Sequence, residues 1–264
     1  MFTIGYHLRH RFLRSLIVGL AFAGLLASCV RHATKPEALA WNDARQLVLV
    51  TTADWNANHG TLRSFVRDGD GWRAVTTAAP VTVGKAGSAW GLGLNATQSG
   101  VQKQEGDGRA PAGVFRIGTA FGYGDTAQTA LPYDAMRASD WCIDVSTSPL
   151  YNHIVDADAV GKAAIEGSTE PMRRDLHAQG DQRYKLGFVI EHNAQATSGA
   201  GSCIFAHLWK APSEATAGCT AMDEPVMREL LAWLDRRRRP VFVLLPEAEY
   251  LRLKTDWRLP EVSL

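Results

Sequence analysis

His207 closes the apolar run Cys203-Ile204-Phe205-Ala206-His207, and Cys219 ends the stretch Thr216-Ala217-Gly218-Cys219 after a loop through Pro212. These residue types are the ones that nucleophilic thiol chemistry requires. A free thiol with a pKa near 8.5 is only about 3% thiolate at pH 7, and a neighbouring imidazolium lowers that pKa to roughly 3.5–7.5. The same ring then returns a proton to a leaving amine. Gly218 removes a side chain beside the thiol, so backbone N–H groups at Gly218 and Cys219 have room to face a developing oxyanion. One such donor is worth about 10²–10³ in rate. Ala217, Thr220 and Ala221 are small and leave space for a peptide branch. Spacing alone does not separate this pair from a core histidine and a packed thiol.

The rivals are few. His192 follows the apolar run Leu186 to Ile190 and is flanked by Glu191 and Asn193, which suits a cleft residue or a ring satisfied by its neighbours. Besides Cys29, the chain has Cys142, Cys203 and Cys219. An odd set in an oxidising compartment means one pair with one free thiol, or three free thiols. A Cys142–Cys203 bond is one of these options and leaves Cys219 free. No CxxC or HxxxH spacing supplies a metal ligand set, so no metal and no organic cofactor is expected.

The elements that position these residues are mostly strands. Gln46 to Thr52, Pro80 to Lys85, Val114 to Ile117, Leu186 to His192, Cys203 to His207 and Val241 to Leu245 are apolar, β-branched runs. Leu62 to Arg67 and Trp72 to Thr77 flank Asp68-Gly69-Asp70-Gly71 as a hairpin. One helix is clear: Asp223 suits an N-cap, Pro225 the first turn, and Val226, Met227, Leu230, Leu231 and Leu234 share a face. Residues 120–180 read as loops and short helices. The expected fold class is mainly β with a few helices.

With 264 residues, 46% hydrophobic and 21% charged, the chain has ordinary globular composition. A net charge of +1 gives no argument for nucleic acid. The run Arg236 to Arg239 follows the helix and reads as a solvated helix end. At the N-terminus Arg9, Arg11 and Arg14 precede an apolar stretch from Ser15 to Ala27, too short for a bilayer core but of signal-peptide length. Leu26-Ala27-Ser28-Cys29 resembles a lipoprotein lipobox. It implies removal of residues 1–28, a lipid on Cys29 that anchors the chain to a membrane, a tether over 29–41 and a catalytic domain over 42–264. Val30 after the lipidated Cys favours the periplasmic side of the outer membrane.

The segment from His207 to Cys219 resembles the catalytic motif of the YkuD-type L,D-transpeptidases, in which a His precedes a loop and S/T-x-G-C. His207, Thr216, Gly218 and Cys219 match it. Lys103-Gln104-Glu105-Gly106-Asp107-Gly108-Arg109-Ala110-Pro111-Ala112-Gly113-Val114-Phe115 is similar to a K-x-EGDG-x-(T/S)-PAG-x-F stretch in one branch of that family. Trp141-Cys142, Ser148-Pro149-Leu150-Tyr151-Asn152 and Gly187 to Asn193 are further landmarks. The Gly-rich block leads into a strand and lacks a Gly-Lys-Ser/Thr ending, so it is no phosphate loop but a structural loop beside the cleft.

The resemblance implies a β-sandwich-like domain acting on peptidoglycan stem peptides, with Cys219 as nucleophile, His207 as base and acid, and Gly218 in the oxyanion hole. It places Thr216, Tyr151, Asn152, His192 and Arg109 as candidate substrate contacts. The expected reaction is cross-link formation through a Cys219 thioester with release of D-alanine. A hydrolase using the same site, or a lipoprotein that only binds the wall, are the alternatives. Ala217 and Ala221 stand where many members carry His and Arg, and Leu208 where Gly is usual. Arg109, Arg173 and Arg174 are candidates for the missing cation.

Overall fold

In the computed structural model, residues 38–264 are described. The signal-peptide reading of 1–28 and the lipidation of Cys29 lie outside them, as does most of the tether. Trp41, at the tether's expected end, is 3% exposed and packs edge-on against Trp257 at 5.5 Å. It belongs to the core.

The strands run in chain order as β1 (Gln46–Thr52), β2 (His59–Asp68), β3 (Gly71–Ala74), β4 (Ala79–Thr82), β5 (Ser88–Trp90), β6 (Ala110–Gly122), β7 (Tyr133–Ala135), β8 (Asp140–Cys142), β9 (Ile154–Asp156), β10 (Glu170–Pro171), β11 (Leu186–Ile190), β12 (Phe205–Leu208), β13 (Thr220–Met222) and β14 (Val241–Pro246). The α-helices are α1 (Ala157–Val160), α2 (Arg174–His177), α3 (Glu224–Trp233) and α4 (Glu247–Leu253). The main sheet runs β1-β14-β6-β11-β12-β13-β4-β2-β3, and β2 also pairs with β1. That last pairing closes the sheet on itself, so the expected mainly β, sandwich-like domain has its two facing halves joined into one barrel-like wall. Every residue of β1 and β14 is buried, which accounts for their unbroken apolar runs rather than an alternating pattern.

The helix α3 forms where its signals place it. The Asp223 carboxylate accepts from the Glu224 N–H at 2.9 Å, and Met227, Leu230, Leu231 and Leu234 are buried. A cap of this kind contributes about 1 kcal/mol. Residues 120–180 hold more order than the sequence suggests, with a second sheet of order β10-β8-β9. Its strands of two or three residues are too short to show a period.

A disulfide joins Cys142, at the end of β8, to Cys203, just before β12. It ties the small sheet to the strand that carries His207. The closed loop spans a sequence separation of 61, for which chain entropy alone gives roughly 4 kcal/mol. The double variant Cys142→Ser/Cys203→Ser is expected to lose a large part of that in a urea titration. An unchanged midpoint would show that the bond adds nothing to stability.

Candidate functional site

The pairing of β12 with β13 creates the site. These strands are parallel, with Ala206 opposite Thr220 and His207 opposite Ala221. Side chains alternate between faces, so Ala206, Leu208 and Met222 enter the main core while Phe205, His207, Cys219 and Ala221 share the other face. Phe205 and Cys219 pack there with Cys142, Met172, Tyr184 and Cys203. His207 and Cys219 line one cavity together with Thr216, Ala221, Tyr184 and Arg174. Cys219 is the free cysteine among the described residues.

The turn before the thiol is held by Thr216. Its hydroxyl donates to the Cys219 carbonyl at 2.6 Å and accepts from the Gly218 N–H at 3.1 Å. In the resting structure the Gly218 N–H, expected in the oxyanion hole, is held by Thr216. The Cys219 N–H makes no hydrogen bond among the described residues and is the available donor. Gly218 has another reason to be glycine: a Cβ there would sit 3.0 Å from the Arg109 carbonyl oxygen. The EGDG loop thus lies directly under the turn that carries Cys219.

Electrostatics at the pair also differ from expectation. Burial pushes the Cys219 thiol up to about 12, the Glu170 charge adds to this, and the Phe205 N–H opposes it. Burial pushes His207 down to about 4, against the favourable effect of its bond to the Leu208 carbonyl. The resting pair is therefore a neutral thiol and a neutral imidazole, not a thiolate–imidazolium pair. Burial of both groups disfavours both charges. His207 Nδ1 lies 2.7 Å from the Leu208 carbonyl. A carbonyl only accepts, so Nδ1 carries the proton and Nε2 holds the lone pair. The thiol accepts from the Phe205 N–H at 3.3 Å and donates to the Cys203 carbonyl at 3.4 Å. Cys203 has φ of 55°, a left-handed backbone held beside the disulfide.

The other sequence candidates do not reach this cavity with their side chains. Arg109 Nη1 donates to the Trp55 and Ser88 carbonyls at 3.1 and 3.0 Å, so the guanidinium braces the loop and only its backbone lies near the thiol. The Tyr151 hydroxyl donates to Glu105 and accepts from the Gly201 N–H. The Asn152 amide donates to the His192 and Asn193 carbonyls and accepts from the Cys203 N–H. His192 accepts at Nδ1 from the Leu92 N–H (3.2 Å) and approaches the Ala200 carbonyl with Nε2 (2.9 Å), so Nε2 carries its proton. Both nitrogens are occupied, and this ring is not a free base. Asn152 and His192 line a neighbouring, more apolar cavity with Phe121, Met136 and Val189. Together these side chains fix residues 201–203, and through them the carbonyl that holds the thiol.

Burial pushes His192 down from 6.5 to about 4. The unfolded chain binds this proton in the window between those values, so the stabilisation is complete above pH 6.5 and is lost as pH falls towards 4. His192 and His207 each contribute roughly 3 kcal/mol to this loss. The urea midpoint is expected to drop sharply between pH 7 and 4.5. A midpoint that holds steady would mean that the rings are not buried neutral.

Sequence reasoning missed Glu170 and Tyr184. The Tyr184 hydroxyl donates to Glu170, Arg174 Nη2 donates to the same carboxylate oxygen at 2.6 Å, and the Tyr184 ring meets the His207 ring edge-on at 5.3 Å. Glu170 arrives on β10, whose two residues carry no pattern. Tyr184 precedes β11 in a turn. Of the three arginines considered, Arg174 is the one that lines the cavity. Arg173 is paired with Asp175 at 2.8 Å.

No curated protein matches the chain. It is similar to the solved structure of Bdellovibrio bacteriovorus Bd1075 at 14% identity and a TM-score of 0.38, covering 81% of this chain and 55% of that one. The chain thus spans about half the length of that protein, and so distant a likeness carries no argument. The model of the L,D-transpeptidase catalytic domain, YkuD, matches residues 51–243, a range that holds β11 to β13, His207 and Cys219. The chain belongs to the YkuD family of L,D-transpeptidase catalytic domains.

Proposed function

We propose that this chain cross-links peptidoglycan through a thioester on Cys219. The observation that carries this reading is the placement of the free thiol and of His207 on one cavity, with the imidazole tautomer fixed by the Leu208 carbonyl. The thiol turns from the Cys203 carbonyl to His207 Nε2 and attacks the carbonyl of the L-centre residue that precedes terminal D-alanine in a stem tetrapeptide. Nε2 takes the thiol proton as the S–C bond forms, which spares the buried site an isolated thiolate. The Cys219 N–H faces the oxyanion. The amide C–N bond then breaks, and the imidazolium gives its proton to the departing D-alanine amine. An amine from a second stem attacks the thioester, His207 takes a proton from it, and the thiol leaves reprotonated.

The lipobox-like Leu26-Ala27-Ser28-Cys29 supports export and a lipid anchor on the periplasmic side of the outer membrane, beside a polymeric substrate. The purified chain, incubated with tetrapeptide muropeptides, is expected to release D-alanine and to form dimers. D-alanine release without dimers would make the chain a carboxypeptidase with the same acyl-enzyme. Wall binding with no turnover would make it a binding lipoprotein.

A further inference from the structure

Ala221, two residues past the nucleophile, gives its side of the cavity no cation, and the structure supplies one from another segment. Arg174 opens α2 and lines the cavity that holds Cys219, His207 and Ala221. Its side chain is only 10% exposed. Nη2 is on Glu170, and the guanidinium carbon lies 4.8 Å over the Tyr184 ring. Nε is buried with no acceptor, and Nη1 makes no hydrogen bond among the described residues. A buried donor without a partner is costly, and an arginine cannot shed its charge to avoid that cost.

The other cations on the cavity are committed. Arg183 Nε donates to Asp181 at 2.8 Å, and Lys210 lies 3.8 Å from Glu214. Arg174 shares its carboxylate with the Tyr184 hydroxyl, and its Nε has no acceptor. An anion entering this cavity meets Arg174 with donors to spare.

We propose that Arg174 reads the C-terminal carboxylate of the donor stem and thereby restricts the site to chains that end one residue beyond the scissile bond. The proposal rests on the reading that the scissile carbonyl sits between Cys219 and His207. From that carbonyl the chain runs through one nitrogen and one Cα to the terminal carboxyl carbon, a span of roughly 4 Å. A carboxylate so close to the reacting carbon falls within the same small cavity. A longer stem puts a neutral amide there and leaves the guanidinium without its anion.

The test compares release of the terminal residue from three peptides: a stem tetrapeptide, the same peptide as its C-terminal carboxamide, and the pentapeptide. The intact chain is expected to favour the carboxylate over the carboxamide in kcat/KM by on the order of 10- to 100-fold, the worth of a charge-assisted hydrogen bond, and to reject the pentapeptide. Arg174→Gln is expected to bring that ratio towards one, and Arg174→Lys to give an intermediate value. Glu170→Gln keeps a partner for Tyr184 but removes the competing charge, so the ratio rises.

A ratio that Arg174→Gln leaves unchanged overturns the proposal, even if both rates fall together, since equal loss marks a brace for Tyr184. Calorimetric binding of the tetrapeptide and its carboxamide to Cys219→Ala, with and without Arg174→Gln, separates this from the chemistry. Discrimination in binding that depends on Arg174 upholds the carboxylate site even where no peptide turns over, and the transfer reading then falls alone. Equal binding of both peptides overturns it.

Discussion

Cys219→Ala is expected to abolish thioester formation and to lower donor turnover by on the order of 10⁴-fold or more. The size follows from the site's composition. Cys219 is the free thiol among the described residues, because Cys142 and Cys203 are bonded to each other. The other side chains on the cavity are His207, cations, carboxylates, a tyrosine and small residues, and the amine among them, Lys210, lies 3.8 Å from Glu214. Alanine keeps the packing against Phe205 and Cys203 and leaves the Phe205 N–H without its sulfur partner, a loss of about 1 kcal/mol. The fold therefore survives, and the missing rate reports on chemistry. The check is D-alanine release alongside a thermal melt. Residual release within tenfold of the intact chain would mean that Cys219 is not the nucleophile.

The second large effect concerns His207. Replacement by Asn or Ala removes the Nε2 base and is expected to cost about 10²–10⁴ in rate. The pH dependence is sharper than the size. Because burial holds His207 near 4 and the Cys219 thiol near 12, the working form is unprotonated imidazole with protonated thiol. That form is complete at neutral pH and is lost as pH falls through about 4, so activity runs flat from about pH 6 to 8 and declines on the acid side only. Alkylation without substrate follows the thiolate alone. At pH 7 the thiolate fraction is on the order of 10⁻⁵ for a thiol at about 12, so iodoacetamide reacts slowly and gains tenfold per pH unit through pH 9. Glu170→Gln removes a charge that raises the thiol pKa, and is expected to speed alkylation. Rapid alkylation that is flat from pH 5 to 8 would instead establish a thiolate–imidazolium pair.

The fully buried strands of the main sheet were legible, whereas β13, which pairs beside β12 to bring Cys219 to His207, is too short at three residues to show a pattern. Gln46–Thr52 and Val241–Pro246 announce themselves by unbroken apolar, β-branched runs, and α3 by its cap and stripe. His207 and Cys219 were legible as residue types, and the family motif supplied the weight that spacing lacked. The Gly-rich block was readable as structure, and its contact with Gly218 through the Arg109 carbonyl gives that structure a purpose. The electrostatic state of the pair was not legible, because burial sets it and burial depends on a cover that no local pattern encodes. Part of that cover is Glu170 of β10 and Tyr184, which line the cavity, with Cys142 and Met172 packed against the thiol. Tyr151, Asn152, His192 and Arg109 sit in the right blocks of sequence, yet each side chain is spent on neighbours within the fold. Polar residues in such blocks can satisfy buried N–H and C=O groups instead of meeting a ligand, and only geometry separates the two.

The most direct measurement is intact mass of the chain quenched in acid during turnover of a stem tetrapeptide, followed by peptide mapping. The expected result is an adduct on Cys219 with the mass of the donor stem less its terminal D-alanine, and none on Cys219→Ala. D-alanine release with no adduct on Cys219, or an adduct that persists in Cys219→Ala, would contradict a thioester at this residue.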